Sequence, residues 1–235
     1  MPFHGMRNIN FLFLSLILGI SILIPLAKGH SETRLSVRDL LNRMKGAFDD
    51  IRDYQMDVEI RSPEDSHSFQ IERFKYTFKR PDHIRIDMKS PHRDMILVYP
   101  GPGGKVLIRP GGWARSFTFS LSSDNFLLRD SSGQRIDQTD LGLLIENISL
   151  SIEEAGEGHL EISETGRWIR IVLLADDHFR PGVITRYIFL IDRSSCMPVK
   201  VEEWTPQGNL KRVIIFKDLE TNTGVGDSFF SLNEE

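Results

Sequence analysis

Metal binding and acid–base catalysis need histidines, cysteines or carboxylates at repeated short spacings, and this 235-residue chain offers few. His30, His67, His83, His92, His159 and His178 follow an N-terminal apolar segment, and none pairs at ligand spacing with a second ligand type on a helix. No zinc site is therefore expected. Asp176-Asp177-His178 has the chemistry to hold a cation, but as a short polar run it reads better as a solvated loop. Cys196 is the only cysteine, and a thiol without a partner beside a turn reads as a small buried hydrophobe rather than a nucleophile. The glycines at 101, 103 and 104 lead into a strand and not a helix, which makes a hairpin and not a phosphate cradle. No serine sits in a nucleophile elbow. Catalytic residues, metal ligands and cofactors: none are expected.

Charge narrows the partners. The chain carries 29 basic and 33 acidic residues, net −4, scattered in both signs. Without a basic stripe to release counterions, nucleic acid is not an expected partner. Residues 1–29 stand apart: Arg7, then an apolar run over 9–26, then Ala27-Lys28-Gly29 with small residues where a signal peptidase reads. This is the pattern of a signal peptide. The same run is long enough to approach a membrane span, so an uncleaved inner-membrane anchor is the other reading. Pro25, a helix breaker just before the site, favours cleavage. Residues 30–235 are long enough to bury one core as a single domain, and with one cysteine they must do so without an internal disulfide. That suits the periplasm better than a disulfide-stapled extracellular setting. In such an export the glycosylation spacing of Asn147-Ile148-Ser149 is accidental.

The elements follow from periodicity. Val37, Leu40, Leu41, Met44, Phe48 and Ile51 share one face of a helix, with Ser36 and Asp39 as a capping pattern. Mixed charges on its other face favour docking onto a sheet over lying on a membrane. Tyr54, Met56, Val58 and Ile60 alternate with polar residues in a strand, a turn follows through Ser66, and Phe74, Tyr76 and Phe78 share a face of the next strand. Ile84, Ile86 and Met88 repeat the alternation, and strands at 95–99 and 105–109 flank the glycine hairpin. Residues 111–128 read as strand then loop. A helix is expected over 138–148, capped by Asp137 or Thr139, with Leu141, Leu144, Ile145 and Ile148 on one face. Strands are expected at 149–153, 159–163 and 167–175, the first two separated by a turn at Gly156-Glu157-Gly158, with a polar loop over 176–182. Strands at 187–191, 198–204 and 210–216 then form a meander that is dry on one face.

Lys79-Arg80-Pro81, then Ile84-Arg85, Ser90-Pro91 and Gly104-Lys105, followed late in the chain by Phe189-Leu190-Ile191-Asp192, Met197-Pro198-Val199, Phe216-Lys217-Asp218 and Asp227-x-x-Phe230, resemble the LolA/LolB superfamily of outer-membrane lipoprotein carriers. The order and spacing carry the likeness, which runs from the first helix onward. It implies a mainly β fold with a few helices: a strongly curved antiparallel sheet of about eleven strands, an incomplete half β-barrel covered by the N-terminal helix and a lid helix. It also implies an apolar cavity for acyl chains. Phe74, Tyr76, Phe78, Ile84, Ile86, Met88, Leu97, Tyr99 and Trp168 are the candidate lining, residues that would serve equally as plain core. Arg80 matches an arginine that in the family holds the lid by hydrogen bonds to its backbone; a solvent-facing charge ending a strand is the alternative. Leu141, Leu144 and Ile145 belong to the expected lid helix. The resemblance is weakest over 111–128, which does not read as a lid helix and leaves docking surfaces for pathway partners open.

Two functions fit. One is a periplasmic carrier that moves the acyl chains of lipoproteins or lipids between inner and outer membranes, with an acylated lipoprotein or lipid as cargo and membrane proteins of both sides as partners. The other is a non-enzymatic sensor or interaction module on the same sheet, similar to the RseB group. An enzyme is the least favoured.

Overall fold

Alternating apolar and polar side chains over 53–109 and again over 160–221 commit both stretches to strands with one buried face. The computed structural model describes residues 36–65, 67–129, 133–156 and 159–232; the apolar segment 1–29, His30 and the turn residues Ser66, Glu157 and Gly158 lie outside them. The strands are β1 (Asp53–Pro63), β2 (Phe69–Lys79), β3 (His83–Ser90), β4 (Ile96–Tyr99), β5 (Lys105–Arg109), β6 (Phe119–Ser122), β7 (Leu160–Thr165), β8 (Trp168–Asp177), β9 (Arg180–Asp192), β10 (Pro198–Trp204) and β11 (Leu210–Thr221). The helices are α1 (Val37–Asp49) and α2 (Leu141–Ala155).

All eleven strands join one antiparallel sheet in the order β6-β5-β4-β3-β2-β1-β11-β10-β9-β8-β7. It is two meanders, each strand beside its neighbour in sequence, joined at a seam where β1 pairs with β11, as in Val58 opposite Phe216 and Ile60 opposite Ile214. β6 and β7 end the sheet on opposite sides, so it does not close into a barrel. The connection between those two edges carries α2 across the hollow side, and helices cover an incomplete barrel.

The concave face is read directly from register. Tyr54, Met56 and Val58 lie opposite Phe78, Tyr76 and Phe74, which lie in turn opposite Ile84, Ile86 and Met88. Across the seam the same row continues through Ile214 and Val201 to Phe189 and Ile171. Leu40 and Met44 of α1 and Leu141, Ile145 and Ile148 of α2 are buried in this core.

The convex face has its own strap. Phe230 and Leu232 cover Val98, Ile96 and Leu107, the out-of-phase residues of β4 and β5. Lys79 Nζ donates to the Val225 carbonyl (2.8 Å), Arg85 to that of Phe229 (2.8 Å) and Arg109 to that of Leu232 (2.7 Å). Asp53 accepts from the backbone of Thr223 (2.8 Å) and Gly224 (3.1 Å), tying the strap's start to β1.

Several local expectations change. Ser36 caps α1 only through its backbone carbonyl, which accepts from Leu40 N at 2.9 Å, and its hydroxyl takes no part. The cap of α2 is Asp140, not Asp137 or Thr139: its Oδ1 accepts from Gly142 N (2.8 Å) and Leu143 N (3.0 Å). Residues 149–153 are not a strand but the second half of α2. Ser149, Ser151 and Ala155 are buried on its inner side, where small residues allow close packing. The loop expected over 176–182 is mostly strand, since β8 runs to Asp177 and β9 begins at Arg180, leaving a turn at His178 and Phe179.

Candidate functional site

The site is the hollow between α2, its lead-in segment and the concave face. On the sheet side its wall is Met56, Val58 and Ile60 of β1, Phe74 and Tyr76 of β2, Ile86 of β3, Phe189 of β9, Val201 of β10, and Ile214 and Phe216 of β11. Opposite stand Gln134, Gln138, Thr139 and Asp140 of the lead-in and Leu144 and Asn147 of α2. The space free of atoms is about 700 Å³ counted out into the solvent at its mouth.

Two tyrosines on the concave face hold the start of α2. Tyr54 Oη accepts from Leu141 N at 2.9 Å, one of the helix's first-turn donors that has no partner within the helix. Tyr76 Oη is 3.1 Å from Thr139 Oγ1, and since that hydroxyl donates to the Ile136 carbonyl, the tyrosine is the donor. Burial pushes both phenols above their ordinary range, so both stay protonated. Gly142 completes the contact with α1: a Cβ there would lie 2.3 Å from Cε1 of Phe48.

The far end of the hollow is polar. Tyr187 stacks on His178 with ring centroids 4.8 Å apart, and His178 Nε2 lies 2.6 Å from Ser151 Oγ of α2. Burial lowers the His178 pKa, Asp177 opposing the shift and Arg212 adding to it. Burial alone would raise the Asp177 carboxyl, but Lys211, the Phe179 amide and Thr185 bond to it and hold it below its usual range. This corrects the solvated loop expected at Asp176-Asp177-His178: Asp177 is buried and ion-paired. Glu203 and Arg212, opposite each other on β10 and β11, form a second buried pair at 2.8 Å. Among the described residues no three His, Cys, Asp or Glu side chains are grouped to hold a metal.

Solved structures to which this chain is similar include a DUF1329 family protein from Desulfovibrio piger, at 12% identity and a TM-score of 0.46 over 83% of this chain and 95% of that one. A LolA superfamily protein from Nitrosomonas europaea matches at 12% and 0.37, over 83% and 96%. A chain of the Pseudomonas aeruginosa MucA/MucB complex matches at 17% and 0.36, over 83% and 60%. No family model matches the chain, and no curated protein matches it in sequence.

The candidate residues divide by position. Phe74, Tyr76 and Ile86 line the hollow. Phe78, Ile84 and Tyr99 border a neighbouring recess near the end of α1, together with Arg80. Met88 and Leu97 share the concave face, paired with Phe74 and Ile86. Trp168 does not line the hollow: it is one residue out of phase with Ile169 and Ile171, which face the core, and it lies under Arg167. Leu144 faces the hollow, while Leu141 and Ile145 are buried beneath α2. Arg80 is a helix contact, but of α1: Nε donates to the Ile51 carbonyl (2.6 Å) and Nη2 to that of Phe48 (3.0 Å), with the guanidinium 4.8 Å over the Phe48 ring. A cation suits a helix C-terminus. Met56, Val58, Ile60, Phe189, Val201, Ile214 and Phe216 also line the hollow and lie outside the expected lining, although the period-two pattern that picks out Phe74 and Tyr76 also marks them.

Proposed function

We propose that this chain is an exported, non-enzymatic carrier that binds the acyl chains of a lipid or lipoprotein between α2 and the concave sheet and moves them between the inner and outer membranes. The observation that carries the reading is the hollow itself: an apolar wall from six strands of an unclosed sheet, covered on one side by a separate helix. Burying an acyl chain yields about 0.8 kcal/mol per methylene, on the order of 10 kcal/mol gross for sixteen carbons. Such a chain crosses water only when enclosed. Release is equally necessary, and α2 supports it. Its buried Leu141, Ile145 and Ile148 fill part of the concave face, so a guest chain and the helix compete for one surface and the filled and self-filled states stay close in free energy.

Periplasmic residence and membrane partners on both sides belong to the same proposal. The test is uptake of the apolar fluorophore N-phenyl-1-naphthylamine by purified protein, competition by a triacylated peptide, and mass analysis of extracted lipid. Uptake with competition is expected. Lipid-free protein that takes up no probe overturns the reading, and acyl binding without transfer between donor and acceptor vesicles would favour the sensor.

A further inference from the structure

An acyl-chain site needs only apolar walls, yet this one contains a buried ion pair. The Glu203 and Arg212 side chains are 6% and 4% exposed, and the adjoining cross-strand pair on the same face is Val201 with Ile214. Each charge loses several kcal/mol of hydration on burial, and a well-packed apolar pair of similar volume commonly holds two strands together as well or better. The fold therefore gains little from charge at this position. The pair sits instead where it borders the hollow, beside His178 and Asn147.

The charge balance there selects the chemistry of a guest. Among the described residues, the charged groups that border the hollow are Asp140, which caps the start of α2 through the Gly142 and Leu143 amides, and at the polar end Glu203 and Arg212, one of each sign, with burial favouring the neutral form of His178. An anionic head there would meet an Arg212 already neutralised by Glu203 and would bring a second negative charge beside that carboxylate. An uncharged amide matches both members of the pair, because its carbonyl oxygen accepts from a guanidinium and its N–H donates to a carboxylate.

Building on the acyl-binding reading, we propose that Glu203 and Arg212 form a head-group subsite for acyl chains joined through an amide to an uncharged head, and that it discriminates against anionic heads.

The test uses a matched pair of ligands, N-dodecanoyl-glycinamide and N-dodecanoyl-glycine, as competitors of N-phenyl-1-naphthylamine at pH 7.5. The two share a chain and an amide and differ in terminal charge. The wild-type protein is expected to prefer the glycinamide by about tenfold, and in the double variant E203L/R212M that ratio of the two competitors, which does not depend on the affinity for the probe itself, is expected to fall to about twofold or less. Circular dichroism and a thermal melt establish that the double variant folds. The inverted pair E203R/R212E is expected to retain the preference, a result that a purely structural role would not require. Equal competition by both ligands in the wild type, or an undiminished preference in the folded E203L/R212M protein, overturns the subsite and leaves the carrier reading standing. No probe uptake and no competition by either ligand overturns both.

Discussion

Among single residues, Glu59 shows how far surroundings can move a carboxylate without catalysis. It lies on the convex face, nearly buried, with Arg73 Nε at 3.0 Å, Arg61 Nε at 2.6 Å and Lys217 Nζ at 3.5 Å. Hydrogen bonds from Arg73 and Arg61 are the largest causes that take its pKa from 4.5 to about 2. A carboxylate depressed on folding contributes stability that is present above its unfolded pKa and is lost as pH falls through the folded one. Wild type should therefore exceed Glu59→Gln in stability at neutral pH, and the gap should close between pH 4.5 and about 2. Since the three cations are about half exposed, the gap should be on the order of 1 kcal/mol after solvent screening. Urea titrations of both proteins across that window measure it, and a gap independent of pH would refute the linkage.

The helices and strands depend on close approaches that periodicity does not reveal. Gly142 is the point where α2 meets α1, and a methyl group there would overlap the Phe48 ring. Gly142→Ala should cost about 1–3 kcal/mol through forced displacement. Because the displaced element is the cover of the hollow, faster probe uptake should accompany the lower melting temperature; a lower melting temperature with unchanged uptake would separate the α1–α2 contact from access. The strands were legible because each has a single dry face, as Tyr54, Met56 and Val58 show. The second half of α2 was not, because Ser149 and Ser151 interrupt the apolar stripe with small residues that still point inward. Trp168 was misplaced for a related reason: in a strand as apolar as β8, composition cannot set the phase, and only pairing with β9 does. The Glu203–Arg212 pair was hidden in the same way, since β10 and β11 pair with a bulge next to Glu203 that sequence spacing does not record.

For the whole molecule, both faces of one sheet must be covered by separate devices. α2 covers the concave side and the strap over 223–232 part of the convex side. Removing the strap after Gly226 would uncover Val98 and delete the burial of Phe230 and Leu232, a loss of about 3–6 kcal/mol at roughly 1.5–3 kcal/mol per side chain. A truncated protein as stable as the full chain in a thermal melt would show that this covering is dispensable. The hollow lies on the opposite face, so any surviving folded fraction should still take up probe.

The seam also bears on the order of assembly. Each meander can zip up from strands adjacent along the chain, whereas β1 must find β11, bringing Tyr54 beside Thr221 from nearly opposite ends of the domain. Closing so long a loop costs entropy before any seam contact rewards it, which makes this junction the natural bottleneck of folding and leaves two half-sheets with raw edges while it waits.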